Sequence, residues 1–368
     1  MNRRRNVVGV LFTLGVSIAA IAAALAISIG IIAAFGGAPV ASLKALYEGA
    51  FGNRAQLGGT LSKTVPLLLV GLGWITAWST RRINIGFEGQ ILVGGIAATV
   101  VGLDVNLPRP VHLPLAVLAG VLAGAAYAAI PAGLWARRHV SEVISTLMLN
   151  YVAAQLVSWL VRGPLQESTH SFPFTPPVPI SARWPVLLSG TGLAWDFVLA
   201  LLVTFGVRFM LRRTSLGFRF RVSGGNVDAA RRTGVGTVRM SVLALVISGA
   251  LAGLAGSSLI LAGESGTMTD GFSANYGFDG IVVALLARNS PVGAIPAALL
   301  LGALRQGSGY MEATVGVSSA LADLIQGLVI VFVAGTSYLL YRREAARVDV
   351  DEVAEPIVPE AGDRQEVT

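Results

Sequence analysis

Long apolar stretches with almost no charge make up most of this 368-residue chain. Hydrophobic residues account for 54% of it and charged residues for only 13%, about half of what an ordinary soluble domain carries. A soluble core cannot bury so much apolar surface, whereas a lipid bilayer accepts apolar runs of about 20 residues as helices. The sequence therefore predicts an all-α integral membrane protein, and it excludes a soluble enzyme, a nucleic-acid binder and a disordered scaffold.

Ten apolar segments can be delimited along the chain. The first is longer than the core of a signal peptide, so we interpret it as an uncleaved membrane span. The eighth and ninth are too short to cross about 30 Å of hydrocarbon on their own. The ten segments are residues 7–34, 61–79, 85–103, 112–135, 140–161, 193–211, 241–261, 278–287, 292–304 and 318–341.

The arginines indicate the orientation of these segments, because Lys and Arg near the ends of a span stay on the cytoplasmic side. With a cytoplasmic N-terminus and ten crossings, most arginines fall in the cytoplasm, including residues 3–5, 81–82 and 212–213. Both termini are then cytoplasmic. The proline-rich residues 163–192 form the largest outer loop, and the acidic residues 342–368 are predicted to be a disordered cytoplasmic tail.

Two similar four-residue patterns predict an internal repeat. Gly-Phe-Glu-Gly at residues 86–89 opens the third segment, and Gly-Phe-Asp-Gly at residues 277–280 opens the eighth. In the predicted topology these segments cross in opposite directions, as an inverted repeat requires. The predicted organisation is a membrane domain over residues 1–341 with halves at 61–162 and 240–341, a cytoplasmic loop at 212–239, and the tail at 342–368.

Polar side chains inside the apolar segments are informative, because an ionisable group at the bilayer centre costs about 3 kcal/mol on insertion scales. Asn84, Glu88, Gln90, Asn150 and Asp279 are among them. Glu88 and Asp279 lie in the first turn of their predicted helices, where an acid complements the positive end of the helix dipole. Helix breaks of this kind can also flank a central substrate site. The structural and the functional interpretations both stay open.

The sequence holds none of the common hydrolase or ATP-binding motifs. It has no cysteine, its three histidines are scattered, and no His-Glu-x-x-His helix occurs. Residues 58–64 come nearest to a phosphate-binding loop but lack glycine at the required positions. We therefore expect no metal site and no bound cofactor, and any ATP must be bound by another chain.

A basic segment over residues 212–239 separates the two predicted halves. It contains a short helix candidate from Asn226 through Thr233, with Asn226 at its cap and Asp228 in its first turn. A basic stretch next to a membrane is often only a loop near anionic lipid. A short capped helix between two halves can instead dock a cytoplasmic partner.

Four ordered motifs carry a family resemblance. They are NIGFEGQ at residues 84–90, EVISTLMLNY at 142–151, SGALAGLAG at 248–256 and GIVVALL at 280–286. Together they resemble the permease subunits of bacterial ABC importers, in the branched-chain amino acid and ribose permease family. The first two look most like the nucleoside, or simple-sugar, importer subgroup. The resemblance covers roughly residues 60–341.

The basic segment resembles the loop through which such permeases contact their ATPase. The coupling residues implied by this resemblance are Gly217, Arg221, Asn226, Ala229, Ala230 and Gly234. Two positions depart from the family pattern. Residues 221–225 read RVSGG where Arg-Ala-Val-Gly is usual, and Ala287 stands where glycine is common. These departures bear on which ATPase surface and which substrate the chain matches.

The resemblance implies the translocation pore of an ATP-driven nucleoside importer in the bacterial cytoplasmic membrane. Such a subunit is not itself an enzyme, and ATP and Mg²⁺ would be bound by a cytoplasmic ABC ATPase. The other expected partners are a second permease subunit, identical or paralogous, and an extracytoplasmic substrate-binding protein or lipoprotein. The alternatives are a permease for a ribose-like sugar or a branched-chain amino acid and, more distantly, an ion-coupled secondary transporter in which Glu88 and Asp279 carry protons or ions.

The expected substrate determines which residue types can form the site. A nucleoside is neutral, so its site needs hydrogen-bonding amides and aromatic faces rather than opposite charges. The residues expected along the substrate pathway are Asn84, Phe87, Glu88, Gln90, Asn150, Phe278 and Asp279.

Overall fold

The computed structural model describes residues 38–105, 107–169 and 172–317, together with residues 23, 26, 27, 29–31, 33, 324, 327, 328 and 331. The predicted first and last spans lie mostly outside these described residues, and the predicted tail at 342–368 lies wholly outside them.

The described part of the chain is all-helical, as the sequence predicts. Between residues 38 and 317 it forms eleven α-helices, one short 3-10 helix at Ile180–Ala182 and two isolated β-bridges. The α-helices are α1 (Pro39–Phe51), α2 (Arg54–Trp78), α3 (Phe87–Asp104), α4 (Arg109–Arg138), α5 (Glu142–Val161), α6 (Asp196–Arg213), α7 (Ser215–Gly225), α8 (Val227–Arg232), α9 (Thr237–Leu261), α10 (Tyr276–Leu286) and α11 (Ala294–Val315).

Five of the described helices, α2, α3, α4, α5 and α9, are long and apolar enough to cross a membrane. They cover the segments predicted at 61–79, 85–103, 112–135, 140–161 and 241–261. By contrast, α10 is apolar but has only 11 residues, about 16 Å, which is too short to cross alone. The all-α membrane class is confirmed, whereas the ten spans, the inverted repeat and the side of each terminus stay predictions.

Close helix packing around α9 forms the centre of the bundle, where α9 meets α4, α3 and α2. A Cβ on Gly253 of α9 would lie 2.2 Å from the Gly120 carbonyl oxygen of α4, and a Cβ on Gly124 would lie 2.4 Å from the Gly249 carbonyl oxygen. Side chains do not fit at such distances, so the two backbones meet directly. This is the packing that small-xxx-small patterns produce between membrane helices.

The neighbours of α10 determine where a site can form. α10 packs against α2, α3 and α11, while α11 also contacts α1 and α2. The two helices that begin at the repeated Gly-Phe-acid-Gly patterns, α3 and α10, are therefore in contact, although about 190 residues separate their starts.

Residues 163–192 contain no α-helix and fold back over the turn that follows α9. The Arg183 guanidinium donates a hydrogen bond of 2.7 Å to the Ser265 carbonyl oxygen, and the Trp184 amide donates one of 2.9 Å to the Leu261 carbonyl oxygen. The proline-rich segment is thus tied to the loop leading from α9 to α10.

Candidate functional site

Two buried amide side chains, Asn84 and Gln90, bond each other at the start of α3. The Asn84 Nδ2 donates to Gln90 Oε1 at 3.0 Å and to Ser248 Oγ of α9 at 2.9 Å. The Asn84 Oδ1 in turn accepts from Gln90 Nε2 at 3.1 Å and from the Gly86 amide at 3.0 Å. Asn84 and Gln90 are at most 1% exposed. Their polar atoms are thus satisfied internally, and the pair fixes the start of α3 against α9.

A third amide, Asn150 of α5, fixes the same helix start from the other side. Its Oδ1 accepts a 2.8 Å hydrogen bond from the Gly89 amide, and its Nδ2 donates one of 2.9 Å to the Ile85 carbonyl oxygen. One side chain thereby satisfies an amide donor that the start of α3 leaves open and the carbonyl acceptor of Ile85, which precedes the helix. Asn150 is the group that holds α5 against the first turn of α3.

Glu88 uses its carboxylate to cap a different helix, α10. It accepts hydrogen bonds from the Ser273 hydroxyl, from the Asn275 amide at 3.2 Å and from the Gly277 amide at 2.8 Å. Gly277 permits this approach, because a Cβ there would lie 2.3 Å from the Glu88 nitrogen. The positive ends of the α3 and α10 dipoles therefore lie side by side, with a carboxylate between them that compensates both.

Asp279, the matching acid of the second pattern, pairs with Arg305 of α11. Their closest charged atoms are 3.7 Å apart, and both side chains are largely buried. The same guanidinium lies 3.9 Å from the centre of the Tyr276 ring and donates to the Ala274 carbonyl oxygen. Arg305 thus binds the first turn of α10 through charge, ring face and backbone, and the charge of Asp279 is compensated locally.

A cavity of about 430 Å³ lies between α3, α5 and the residues that lead into α10. It brings three predicted pathway residues together: Glu88, Asn150 and Phe278. Asn84, Phe87, Gln90 and Asp279 are not among its lining residues. The complete lining is Glu88, Leu92, Leu147, Asn150, Tyr151, Ala154, Val157, Asp270, Gly271, Ser273, Ala274, Asn275 and Phe278.

The other four predicted pathway residues lie outside this lining, and Asp279 among them pairs with Arg305. Phe87 is fully buried in the hydrophobic core, and Asn84 and Gln90 are buried beside it, so these three side chains support the helix starts in this structure. Sequence reasoning missed Tyr151 and Asp270, which line the cavity. Tyr151 belongs to the EVISTLMLNY motif, while Asp270 lies in a loop without any motif, so only the fold reveals its position.

The predicted coupling segment, residues 212–239, contains two short helices after α6. Thr214 caps α7 by accepting from the Gly217 amide at 3.2 Å, and Asn226 caps α8 by accepting from the Asp228 and Ala229 amides, both at 3.0 Å. The short capped helix expected between residues 226 and 233 is therefore confirmed as α8, Val227–Arg232.

Burial divides the six predicted coupling residues. The residues Arg221, Asn226, Ala229 and Gly234 are exposed. Gly217 and Ala230 are instead buried, and Ala230 has no exposed surface. A Cβ on Gly217 would lie 2.2 Å from the Met210 carbonyl oxygen, so this glycine lets α7 turn back on α6. The two buried residues shape the loop and do not present side chains to a partner in this structure.

α7 also contacts the end of α2. A Cβ on Gly224 would lie 2.5 Å from the Ser79 carbonyl oxygen and 3.1 Å from the Thr80 backbone. The chain from Thr80 leads directly to Asn84 and the start of α3. The predicted coupling segment therefore packs directly against the residues that lead into α3.

Within the described ranges, no group of three His, Cys, Asp or Glu side chains could hold a metal ion. His112 is already engaged, since its two ring nitrogens lie 2.9 Å from Ser181 Oγ and 3.2 Å from the Val101 carbonyl oxygen.

The structure combines a bundle of membrane-length helices, two helix starts that meet beside a cavity, and a segment of short capped helices. These features define a polytopic membrane protein of the transporter class. The family model for the branched-chain amino acid transport system permease component matches residues 56–334. This chain belongs to that family.

Named relatives agree with this assignment. A guanosine ABC transporter permease of Bacillus subtilis is 36% identical over 298 residues, which cover 79% of this chain and 84% of the relative. A glucose ABC transporter permease of Haloferax volcanii is 34% identical over 334 residues, 88% of each chain. A nucleoside ABC transporter permease of Lactococcus lactis is 30% identical over 313 residues, 83% of this chain and 86% of the relative.

The family assignment confirms the main functional expectations. The chain is the membrane-spanning, non-catalytic permease component of an ABC importer in the cell membrane. ATP is handled by an ATPase partner in systems of this class, and a binding protein is the other partner that the class implies.

Proposed function

We propose that this chain forms the pore of an ATP-driven nucleoside importer and that the 430 Å³ cavity is part of the substrate pathway. The observation that carries this proposal is the lining of the cavity. It combines the aromatic rings of Tyr151 and Phe278 with the polar side chains of Asn150, Ser273 and Asn275. Such a surface suits a neutral ligand with an aromatic face and several hydrogen-bonding groups.

The charge of the lining supports a nucleoside over an amino acid. The lining residues within the described part of the chain include two acids, Glu88 and Asp270, and no Lys or Arg. An amino acid carries a carboxylate that needs a cationic or helix-end partner, and here the start of α10 already binds Glu88. A simple sugar is the second candidate, since a glucose permease is 34% identical to this chain.

The secondary-transporter alternative finds less support. A carboxylate that carries a proton or ion must be able to release its partners during each cycle. Glu88 is occupied by three donors from the loop before α10 and from its first turn, and Asp279 lies beside Arg305. We therefore assign both acids a structural role in holding α10.

Transport in this proposal follows from the meeting of the two helix starts. Ten spans, cytoplasmic termini and two inverted halves would place the starts of α3 and α10 near the membrane centre, as in other repeat transporters. Binding and hydrolysis of ATP and Mg²⁺ on the ATPase would rock the halves, and the extracytoplasmic binding protein would deliver the substrate. A second permease subunit, identical or paralogous, would complete the pore.

The ATPase would dock on the exposed part of the coupling segment. Arg221, Asn226, Ala229 and Gly234 are the contacts we propose, while the buried Gly217 and Ala230 hold the segment in shape. The contact of α7 with the end of α2 then offers the route by which docking affects α3.

Uptake into proteoliposomes tests this function. The permease is reconstituted with its ATPase and binding protein, and radiolabelled adenosine and guanosine are supplied with ATP inside or outside the vesicle. We expect ATP-dependent uptake that unlabelled nucleosides inhibit and that leucine and ribose leave unchanged. An ATPase variant unable to hydrolyse ATP is the control. ATP-dependent uptake of labelled glucose or leucine, with no uptake of the labelled nucleosides, would contradict the substrate assignment and leave the importer class standing.

A further inference from the structure

Asp270 lines the cavity, and its hydrogen bonds engage only one of its two carboxylate oxygens. Its Oδ2 accepts a 2.9 Å hydrogen bond from Arg162 Nη2 and one of 3.2 Å from Ser158 Oγ. Arg162 in turn donates from Nε to the same serine at 3.1 Å. Both contacts therefore use one oxygen and come from the end of α5, which leaves Oδ1 able to accept hydrogen bonds from a ligand.

The other hydrogen-bonding groups of the lining have less capacity to spare. Glu88 accepts three hydrogen bonds at the start of α10, and the amide of Asn150 is engaged on both its atoms at the start of α3. Among the lining residues of the described chain, Asp270 is the acid that pairs with a cation outside the lining and is bound through one oxygen. The paired Arg162 compensates its charge, so Asp270 acts toward a neutral ligand as a strong acceptor.

The surroundings of Asp270 indicate which donor it would meet. Tyr151 and Phe278 supply aromatic faces in the same cavity, and both rings are exposed. A flat or apolar ring face can pack on them while a hydroxyl at the ring edge reaches a carboxylate. Ring hydroxyls are common to nucleosides and sugars, and an acceptor of this kind disfavours anionic ligands such as nucleotides.

We propose that Asp270 is a specificity-determining residue that accepts a hydrogen bond from a ring hydroxyl of the transported substrate. This inference rests on the proposed function, because it requires that the cavity be part of the substrate pathway. Arg162 is then a positioning residue that fixes the Asp270 carboxylate toward the cavity.

The test is a cycle of protein and ligand changes in the reconstituted complex. Uptake of adenosine, 2′-deoxyadenosine and 3′-deoxyadenosine is measured at limiting substrate for the wild type, D270A and R162Q. The binding protein is the same throughout, so its own preference cancels in each ratio of variant to wild type. R162Q is the matched control, since it breaks the same ion pair but retains the carboxylate.

A lost hydrogen bond to a charged group predicts that D270A lowers adenosine uptake about 10- to 100-fold. For the analogue that lacks the bound hydroxyl, D270A should lower uptake less than about 3-fold. R162Q retains the carboxylate but loses the group that positions it, so it should lower uptake in the same ligand order as D270A and by a smaller factor. An equal loss in D270A for all three ligands, or no loss for any, would overturn the inference. Absence of ATP-dependent adenosine uptake by the wild type would instead overturn the proposed function, before any variant is compared.

Discussion

Removal of the Glu88 carboxylate should loosen the contact between α3 and α10. Glu88→Ala leaves the Gly277 amide and the Ser273 hydroxyl without their acceptor, and both residues are buried. Hydrogen bonds to a charged group contribute about 1.5–3 kcal/mol each. The third donor, the Asn275 amide, belongs to an exposed residue and can bond water instead. We therefore expect a loss of about 3–6 kcal/mol in the free energy of unfolding.

Glu88→Gln should cost much less, about 1 kcal/mol, because the new side chain retains most of these bonds. Its carbonyl oxygen can accept from the Gly277 amide, while its amino group can donate to the Ser273 hydroxyl, which is able to reverse its role. What it loses is the charge that compensates the two helix dipoles, worth about 0.3–1 kcal/mol. The order of stability is therefore wild type, Glu88→Gln and then Glu88→Ala.

Unfolding in mixed micelles, followed by tryptophan fluorescence, measures this series. Glu48→Ala is the control, since Glu48 forms a half-exposed ion pair with Lys44 one turn away on α1, which should contribute about 0.3–0.5 kcal/mol. A Glu88→Ala variant as stable as the Glu48→Ala control would refute the assignment of Glu88 as the cap of α10. Equal losses in the Gln and Ala variants would refute the argument that hydrogen-bond geometry outweighs charge.

The remaining predictions concern packing, coupling and topology. Gly253→Val should push α9 away from α4, since even a Cβ would lie 2.2 Å from a carbonyl oxygen. We expect the free energy of unfolding to fall by more than about 3 kcal/mol, or the protein to fail to fold. Loss of the monodisperse peak in size-exclusion chromatography would report this. Ala229→Glu should abolish co-purification of the ATPase without lowering permease stability. Ala230→Glu buries an unpaired charge and should lower stability as well. An intact complex with Ala229→Glu would contradict the proposal that this surface docks the ATPase. Cysteines placed at Ser168 and Ser215, both exposed, should react with impermeant reagents from opposite sides, and labelling of both from outside would refute the ten-span topology.

The sequence alone determined the class and much of the local structure of this protein. Its apolar runs fix the membrane class, because the thickness of a bilayer sets the length of a spanning helix. The cap of α8 at Asn226 was also readable, since it follows from residues within a few positions of each other. Such features depend on local geometry, which a sequence pattern contains.

The use of each polar residue was decided only by the tertiary structure. The sequence places Glu88 at the positive end of its own helix, yet its carboxylate binds the start of α10, 189 residues away at Gly277. Asn84 and Gln90 were expected to face a substrate, and here they bond each other and Ser248. A hydrogen bond needs partners within about 3 Å, and no local pattern states which distant segment supplies them.

The same reason explains Asp270 and Ala230. Asp270 belongs to no motif, and it reaches the cavity because Arg162 and Ser158 at the end of α5 hold its carboxylate. Ala230 follows the exposed Ala229 on α8 but is buried. The difference comes from the segments that pack against α8, which the sequence of this short helix does not specify. Helical periodicity decides which residues share a face, whereas the environment of that face depends on elements brought together by the fold.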